Sequence, residues 1–310
     1  MEKWDLIIIG AGAAGLTAGI YGARSGLKTL VLEKQMPGGA TAESPWIENY
    51  PGFSSISGQE LIDKMVNHAT KFGVQISQLE SITELDVKGE TKRGRTGKAT
   101  YDASAVIITT GCHHRELGVP GEKEFSGKGV SYCALCDGAF FKGKKVVVVG
   151  GGNNAATSAQ ILAHLASNVK LIHRREQLRA EEIIMEDLRK SNVEFLWNTE
   201  VKEIKGNNIV KSVIVFNNKT SETKEIEVNG VFVQVGEVPN SEFAKNAGIR
   251  ADKEGYIVVD SQQRTNVPGI YAAGDVTINP VKQIGTAVGQ AIVAVVDAFG
   301  YIRRPYYYKD

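Results

Sequence analysis

One unit occurs twice in this 310-residue chain, and it is a unit that closes only in a parallel sheet. The apolar run Asp5 to Ile9 (DLIII) leads into Gly10-Ala-Gly12-Ala13-Ala-Gly15. A helical stretch to Ser25 follows, then a second apolar run, Thr29 to Leu32, ending at Glu33. In the middle of the chain, Lys145 to Val149 (KVVVV) leads into Gly150-Gly-Gly152-Asn153-Asn154-Ala155. A helical stretch to Ala166 follows, then Val169 to Ile172, ending at His173. The span from first glycine to closing polar residue is the same in both, with no gap. The likeness continues from FGVQISQLESITEL (from Phe72) and SNVEFLWNTEVKEI (from Ser191), through a polar, turn-rich stretch that reads as a β-meander. It ends in VIITTG at Gly111 and VFVQVG at Gly236. Strand, glycine turn, helix, strand begins a βαβ unit, so this is a duplication at domain scale with a parallel sheet in each copy.

The length agrees with two domains. Lys and Arg number 36 against 35 Asp and Glu, a net charge of +1, which argues against a general nucleic-acid surface or a polybasic membrane surface. Three cysteines are too few for a disulfide-stapled secreted scaffold and favour a reducing compartment, with the cytoplasm as the expected location. Leu6 to Ala23 is uncharged over a near membrane-span length. Acidic residues precede it and five glycines interrupt it, so it reads as strand, turn and helix rather than as a membrane segment or leader.

A G-x-G-x-x-G turn lets backbone approach a pyrophosphate and aims a helix N-terminus at its charge. Glycines used only for packing are the plainer reading. In the first copy the strand before, the helix after and Glu33 at the end of the second strand favour a dinucleotide, with Glu33 on ribose hydroxyls. In the second copy His173-Arg174-Arg175 replaces the acid, and Arg179 is expected one helical turn on. A carboxylate there would repel a 2′-phosphate, whereas guanidiniums pair with it, so this copy reads as an NADP site, against the plainer reading of a solvated basic helix start. The first copy carries additional residues between Glu33 and the helix near Leu61, in a stretch containing PGGATAESPWIENYPGF, as expected for the larger ligand. That assigns FAD to copy one and a nicotinamide to copy two. Gly274-Asp275 ends a short strand before an apolar helix, Ile284 to Phe299, and is expected to complete copy one from the far end of the chain.

Cys133-Ala-Leu135-Cys136-Asp137 lies at the entrance to copy two. A C-x-x-C fits a small redox disulfide. Zinc would need a second pair of ligands at suitable spacing, and the nearest histidines, His113 and His114, are adjacent to each other; a purely structural disulfide is the other reading. No metal is expected. Asp137 reads either as an acid/base beside the dithiol or as a helix N-cap.

With these motifs in this order, the chain resembles the low-molecular-weight thioredoxin reductases, of the class II pyridine nucleotide-disulfide oxidoreductases, over essentially its whole length. Gly10, Gly12, Ala13, Gly15 and Glu33, the Gly38-Gly39 and Glu48-Asn49-Tyr-Pro-Gly52 loop, Thr110-Gly111 and Gly274-Asp275 match its FAD elements, and Lys282-Gln283 stands where the family has Arg-Gln near the flavin. His173, Arg174, Arg175 and Arg179 match its NADPH 2′-phosphate motif, and Gly150, Gly152, Asn153, Asn154, Ala155 and Gly236 stand at the positions of its other NADPH elements. The resemblance implies two Rossmann-like, three-layer ββα domains, the second inserted in the first: an FAD domain of residues 1–117 plus 244–310, and an NADPH domain of residues 118–243 carrying the disulfide. It implies hinges near Arg115 to Leu117 and Asn240 to Ala244. It implies a cytoplasmic homodimer passing electrons from NADPH through FAD to Cys133–Cys136. From there they go to thioredoxin or a thioredoxin-like or glutaredoxin-like protein, with Cys136 facing the flavin, Cys133 attacking the partner, and Asp137 as acid/base. Departures from the family pattern fall at Asn153-Asn154-Ala155, Thr157-Ser158, Lys282 and Leu135. Cys112 reads as a small core residue, and the tail Arg303 to Tyr308 as cover for a core edge. An FAD-dependent dithiol oxidase using oxygen, a reductase with a donor other than NADPH, and a non-catalytic flavoprotein are the alternatives.

Overall fold

The computed structural model describes residues 2–44 and 47–303. The tail beyond Arg303 lies outside the described residues. The chain divides into two compact units, Met1–His113 with Val238–Asp310, and His114–Glu237, so the second lies between two segments of the first. The sequence reading set these divisions at 117/118 and 243/244. Both divisions found here fall on a pair of short strands.

The first unit begins β1 (Glu2–Ile9), α1 (Ala13–Arg24), β2 (Thr29–Leu32), α2 (Gly58–Lys71), β3 (Gln75–Ser77), β4 (Ile82–Asp86), β5 (Lys92–Thr96) and β6 (Thr100–Ile108). The sheet runs β3-β2-β1-β6, all parallel, and β5 and β4 continue it antiparallel. Leu6, Ile8, Val31 and Ile107 face one core; Ile7, Ile9, Leu32, Val106 and Ile108 face another. Burial on both faces is why DLIII and VII read as unbroken apolar runs rather than alternating ones. The chain leaves through β7 (Cys112–His114).

The second unit repeats the plan: β8 (Val130–Ser131), α3 (Ala134–Asp137), β9 (Lys145–Gly150), α4 (Asn153–Ala163), β10 (Asn168–Ile172), α5 (Glu182–Lys190), β11 (Glu194–Leu196), β12 (Thr199–Gly206), β13 (Val210–Asn217), β14 (Thr223–Glu227) and β15 (Gly230–Gln234). Its parallel sheet runs β11-β10-β9-β15-β8. Here the meander β12-β13-β14 is a separate antiparallel sheet, whereas in the first unit β4 and β5 extend the main one. Val146, Val148, Leu171 and Phe232 pack under the helices, and Val147, Val149, Ile172 and Val231 under the meander.

β16 (Glu237–Pro239) pairs with β7, so the two connecting segments form a small sheet of their own. The chain returns through α6 (Glu242–Asn246), β17 (Ile270–Ala272) and α7 (Ile284–Arg303). β17 adds parallel to β6, pairing Tyr271 with Ile107, so the far end of the chain completes the first sheet. α7 is long and apolar enough to cross a membrane, by length and composition. Ala287, Ala291, Ala294, Val295 and Ala298 on it are buried in the same core as Ala14 and Ala18 of α1, small residues that let two helices approach closely.

Within the second unit, Leu162→Ala, at a fully buried position on α4, should cost about 2–5 kcal/mol. Ile183→Ala, at a position on α5 that is 71% exposed, should stay within about 0.5 kcal/mol of the parent. Urea unfolding of the two variants checks the contrast.

Candidate functional site

In the first unit the glycine turn is built from backbone pressed on backbone. Gly10 has φ +108°, and a Cβ there would meet the Thr109 carbonyl oxygen at 2.5 Å. A Cβ on Gly15 would lie 1.8 Å from the Gly10 carbonyl oxygen, so only glycine lets α1 start this close to β1. Gly12 differs. Its nearest neighbour is the Gly38 carbonyl oxygen at 3.8 Å, and Gly39 in turn faces the Gly12 Cα at 3.8 Å. Gly12 and Gly39 thus leave a slot bare of side chains at the N-terminus of α1, and the Gly38 amide donates to the Ala11 carbonyl to hold it, while a Cβ on Gly38 itself would strike Ala42 at 2.5 Å. Side chains there would fill the space a pyrophosphate needs.

Glu33 is buried at the end of β2. Its carboxylate accepts from the Ala11 amide at 2.7 Å and the Gln35 amide at 2.8 Å. Two amides use two of roughly four lone-pair sites, which leaves acceptors for ribose hydroxyls. The long loop reaches α7 through Asn49, whose side chain donates to Gln283 at 3.1 Å. Gly274 (φ +79°) packs against Ala14 of α1, which brings Gly274-Asp275 to the same turn. Thr110 donates to the Asn240 carbonyl at 2.7 Å, next to Gly111. Lys282 donates to the Asp275 and Thr277 carbonyls and lies over the Tyr256 ring, 4.4 Å from its centroid. The charge that the sequence places near the flavin therefore also braces the loop from Asp275 to Thr277.

The second unit keeps the same device with different contents. A Cβ on Gly150 would strike the Gln234 carbonyl oxygen at 2.3 Å, while Gly152 has nothing within 4 Å. His173 is buried directly under the turn: a Cβ on Gly151 would meet its ring at 2.1 Å. Burial first, then Arg175, Arg174 and Arg179, push the His173 pKa below its ordinary value, against a raising hydrogen bond from the Gly150 backbone. His173 is therefore neutral packing beneath the glycines, with Nε2 buried and unpartnered and the Trp197 ring edge-on to it. Arg174, Arg175 and Arg179 are exposed on the loop after β10. That loop is not helical; helix begins at Glu182, so the expected helical turn is replaced by a bend in which the Arg179 amide donates to the Gly151 carbonyl at 2.7 Å. The acidic neighbours are engaged elsewhere. Glu176 pairs with Lys219 at 2.6 Å. Glu181 exchanges two hydrogen bonds with Asn153, at 2.8 and 2.9 Å. Asn153 thus clamps the arginine loop to the start of α4, a partnership that spacing alone does not reveal. Gly236 closes the second copy with φ +117°, its carbonyl accepting from the Arg115 amide.

Cys133 and Cys136 form a disulfide across one turn of α3, with Cα atoms 5.3 Å apart. Cys133 is the N-cap of that turn, and the Cys136 amide donates to its Sγ at 3.1 Å. Asp137 caps nothing with its side chain. Its carboxylate accepts from the Ser131 hydroxyl at 2.6 Å. Burial raises the Asp137 pKa above the usual carboxylate value, and the Ser131 hydrogen bond opposes this. Glu122 is almost fully buried one layer away. It accepts from the Leu117 and Gly118 amides and from the Tyr132 hydroxyl, fixing the residue that precedes Cys133. Nothing in the sequence marked Ser131, Glu122 or Glu181; each is a lone polar residue whose partner is set by the fold. Cys112 is half-buried, not fully in a core. Among the described residues no cluster of His, Cys, Asp or Glu is arranged to hold a metal ion.

Residues 4–291 match the sequence pattern of the pyridine nucleotide-disulphide oxidoreductases. Proteins named thioredoxin reductase from Bacillus subtilis and Listeria innocua are each 45% identical to the chain over 303 residues. The match covers 97% of this chain and 95% and 94% of those proteins. The crystal structure of thioredoxin reductase from Streptococcus pyogenes is 42% identical, with a TM-score of 0.93, covering 98% of this chain and 99% of that one. The chain belongs to the pyridine nucleotide-disulphide oxidoreductase family. It is a flavoprotein oxidoreductase with a disulfide redox centre, and the cofactors of these oxidoreductases are FAD and NADPH.

The residues present fit both groups. The side-chain-free slot at Gly12 and Gly39 with Glu33 beside it suits FAD, and the open Gly152 with arginines that pair with no acid among the described residues suits a nucleotide bearing an extra phosphate. Glu33→Gln places an amide group where two backbone N–H groups point. One hydrogen bond to a charged group, about 1.5–3 kcal/mol, is lost. Dialysis of the purified variant should release FAD at least tenfold more readily than the parent, by absorbance of the flow-through. Equal retention would show that Glu33 is not a ligand.

Proposed function

We propose that this oxidoreductase is a thioredoxin-disulfide reductase with NADPH as its electron donor. The carrying observation is that one unit holds both a small C-x-x-C disulfide and a glycine turn flanked by arginines that, among the described residues, pair with no acid. In this reading the first unit, residues 1–113 and 238–310, binds FAD, and the second binds NADPH and carries the disulfide. Gly10, Gly12, Ala13, Gly15, Glu33, Gly39, Asn49, Thr110, Gly111, Gly274, Asp275, Lys282 and Gln283 serve FAD. Gly150, Gly152, Asn153, Asn154, Ala155, Gly236 and the segment from His173 to Arg179 serve NADPH, with Arg174, Arg175 and Arg179 on the 2′-phosphate and His173 shaping the turn from below.

Bound FAD and NADPH supply the two-electron chemistry that opens the Cys133–Cys136 disulfide. The chain's own residues do the rest. Once reduced, the Cys133 sulfur accepts the Cys136 amide hydrogen bond, which favours its thiolate. That thiolate attacks one sulfur of the thioredoxin disulfide, forming a mixed disulfide and releasing the partner's other sulfur as thiolate. Cys136 then attacks the Cys133 sulfur, reforming the internal disulfide and releasing the second partner thiolate. Asp137, its pKa raised by burial, holds a proton for the thiolates that leave. The enzyme works as a homodimer in the cytoplasm.

Two measurements test the reading. With NADPH and thioredoxin, Cys133→Ser should abolish thioredoxin reduction; retained activity would remove Cys133 as the attacking thiol. Arg175→Ala should raise KM for NADPH by about tenfold or more, the equivalent of one charge-assisted hydrogen bond, while leaving KM for NADH within about twofold. An unchanged ratio would contradict the 2′-phosphate assignment. Peroxide formed from a dithiol without NADPH would instead favour the oxygen-using oxidase.

A further inference from the structure

We infer that Ser131 is a positioning residue that couples the Asp137 carboxyl to the peptide of Cys133, holding the proton store of the redox centre in one place. The inference rests on the proposed role of Asp137. Ser131 ends β8, is 5% exposed, and directs its hydroxyl at the redox turn. It accepts from the Cys133 amide at 3.1 Å and donates to Asp137 Oδ2 at 2.6 Å. One oxygen thereby ties the first cysteine to the acid four residues later. The hydroxyl has a single proton and a second acceptor in reach, the Cys133 carbonyl at 3.4 Å. With Asp137 ionised, the proton serves the carboxylate. With Asp137 protonated, the hydroxyl turns to the carbonyl, and its oxygen receives the carboxylic proton. Each state keeps its partners, and no backbone movement separates them.

The surroundings leave Ser131 alone in this task. Among the described residues, the elements packed most closely on α3 are α4, which reads NNAATSAQILA, and the turn Gly138–Phe141, which reads GAFF; neither carries an ionisable side chain. Lys142 and His164 come just past their ends, and Tyr132 is turned to Glu122. Within the turn itself the other titratable groups are Cys133 and Cys136 when reduced. Burial raises the Asp137 pKa and only the Ser131 hydroxyl lowers it, so removing that hydroxyl moves the acid further up.

The test uses the FAD-bound protein and four variants, Ser131→Ala, Ser131→Thr, Asp137→Asn and the double variant Ser131→Ala with Asp137→Asn. The Asp137 carboxyl midpoint is read directly by 13C NMR of protein labelled at aspartate Cγ, with Asp137→Asn identifying the resonance. The pH dependence of kcat/KM for thioredoxin is read in parallel. Ser131→Ala should raise the carboxyl midpoint by about one pH unit or more, the worth of one hydrogen bond to a charged group. The alkaline limb of the rate profile should move up with it. Ser131→Thr, which keeps the hydroxyl, should restore both. In the Asp137→Asn background, Ser131→Ala should change the rate by less than twofold. An unmoved midpoint in natively folded Ser131→Ala, or an undiminished rate effect of Ser131→Ala in the Asp137→Asn background, would overturn the inference. If Ser131→Ala does not fold, Asp137→Glu, which breaks the same register, must show the raised midpoint instead, read in protein labelled at glutamate Cδ. A full rate and unchanged profile in Asp137→Asn would sink the acid/base reading itself, while the NMR midpoint would still decide whether Ser131 governs the carboxyl.

Discussion

Everything in this fold that concerns function depends on backbone meeting backbone where β1 meets α1 and where β9 meets α4. A dinucleotide pyrophosphate is satisfied by peptide N–H groups at a helix N-terminus, and side chains in that path would displace it. The structure divides the glycines of each turn into two tasks. Gly10, Gly15 and Gly150 are squeezed against carbonyl oxygens and cannot carry a Cβ, whereas a Cβ on Gly12 would meet only the Gly38 carbonyl oxygen, at 3.8 Å, and Gly152 looks into open space. The first set lets helix and strand approach; the second leaves room for the ligand. The long apolar strands under the turns, buried on both faces, supply the rigidity that this close fit demands.

The two copies diverge beside that shared turn. Copy one places a buried carboxylate there and fixes it with two amides. Copy two places a buried, neutral histidine there and sends its positive charge outward on the next residues. Among the described residues the arginines pair with no acid, and their neighbours Glu176 and Glu181 are turned to Lys219 and Asn153. An uncompensated cationic loop at a helix N-terminus is a costly arrangement in a free protein and a favourable one around phosphate. The redox turn follows a different rule. It is held by neutral or satisfied groups, Ser131, Tyr132 and the buried Glu122, and its one raised acid faces no opposing cation.

The repeated βαβ plan, the completion of the first sheet from the chain's far end and the apolar α7 were legible in the sequence, because strand periodicity, glycine spacing and apolar runs are local signals. Glu33 was legible for the same reason: its place at the end of β2 is a spacing. What the sequence reading missed depends on distance in space. His173 stood in line with two arginines and read as one of them, yet it is the last buried residue after β10, packed under Gly151, and the exposed stretch begins at Arg174. Arg179 read as one helical turn on, but Asn153 and Glu181 hold that stretch as a bend. Ser131 carried no mark at all, although it lies only six residues before Asp137: a serine leading into a turn has no periodicity to set it apart, and only the geometry of that turn aims its hydroxyl at the carboxylate.

The central claim is that one chain couples a nucleotide-fed flavin to the Cys133–Cys136 disulfide, and anaerobic titration with NADPH tests it most directly. The account predicts that the oxidised, FAD-loaded protein consumes two equivalents of NADPH per chain before the flavin is fully bleached, one for the disulfide and one for the flavin. It predicts that a protein with both cysteines changed to serine consumes one. Bleaching complete after one equivalent in the unaltered protein would show that the disulfide takes no electrons and would contradict the account.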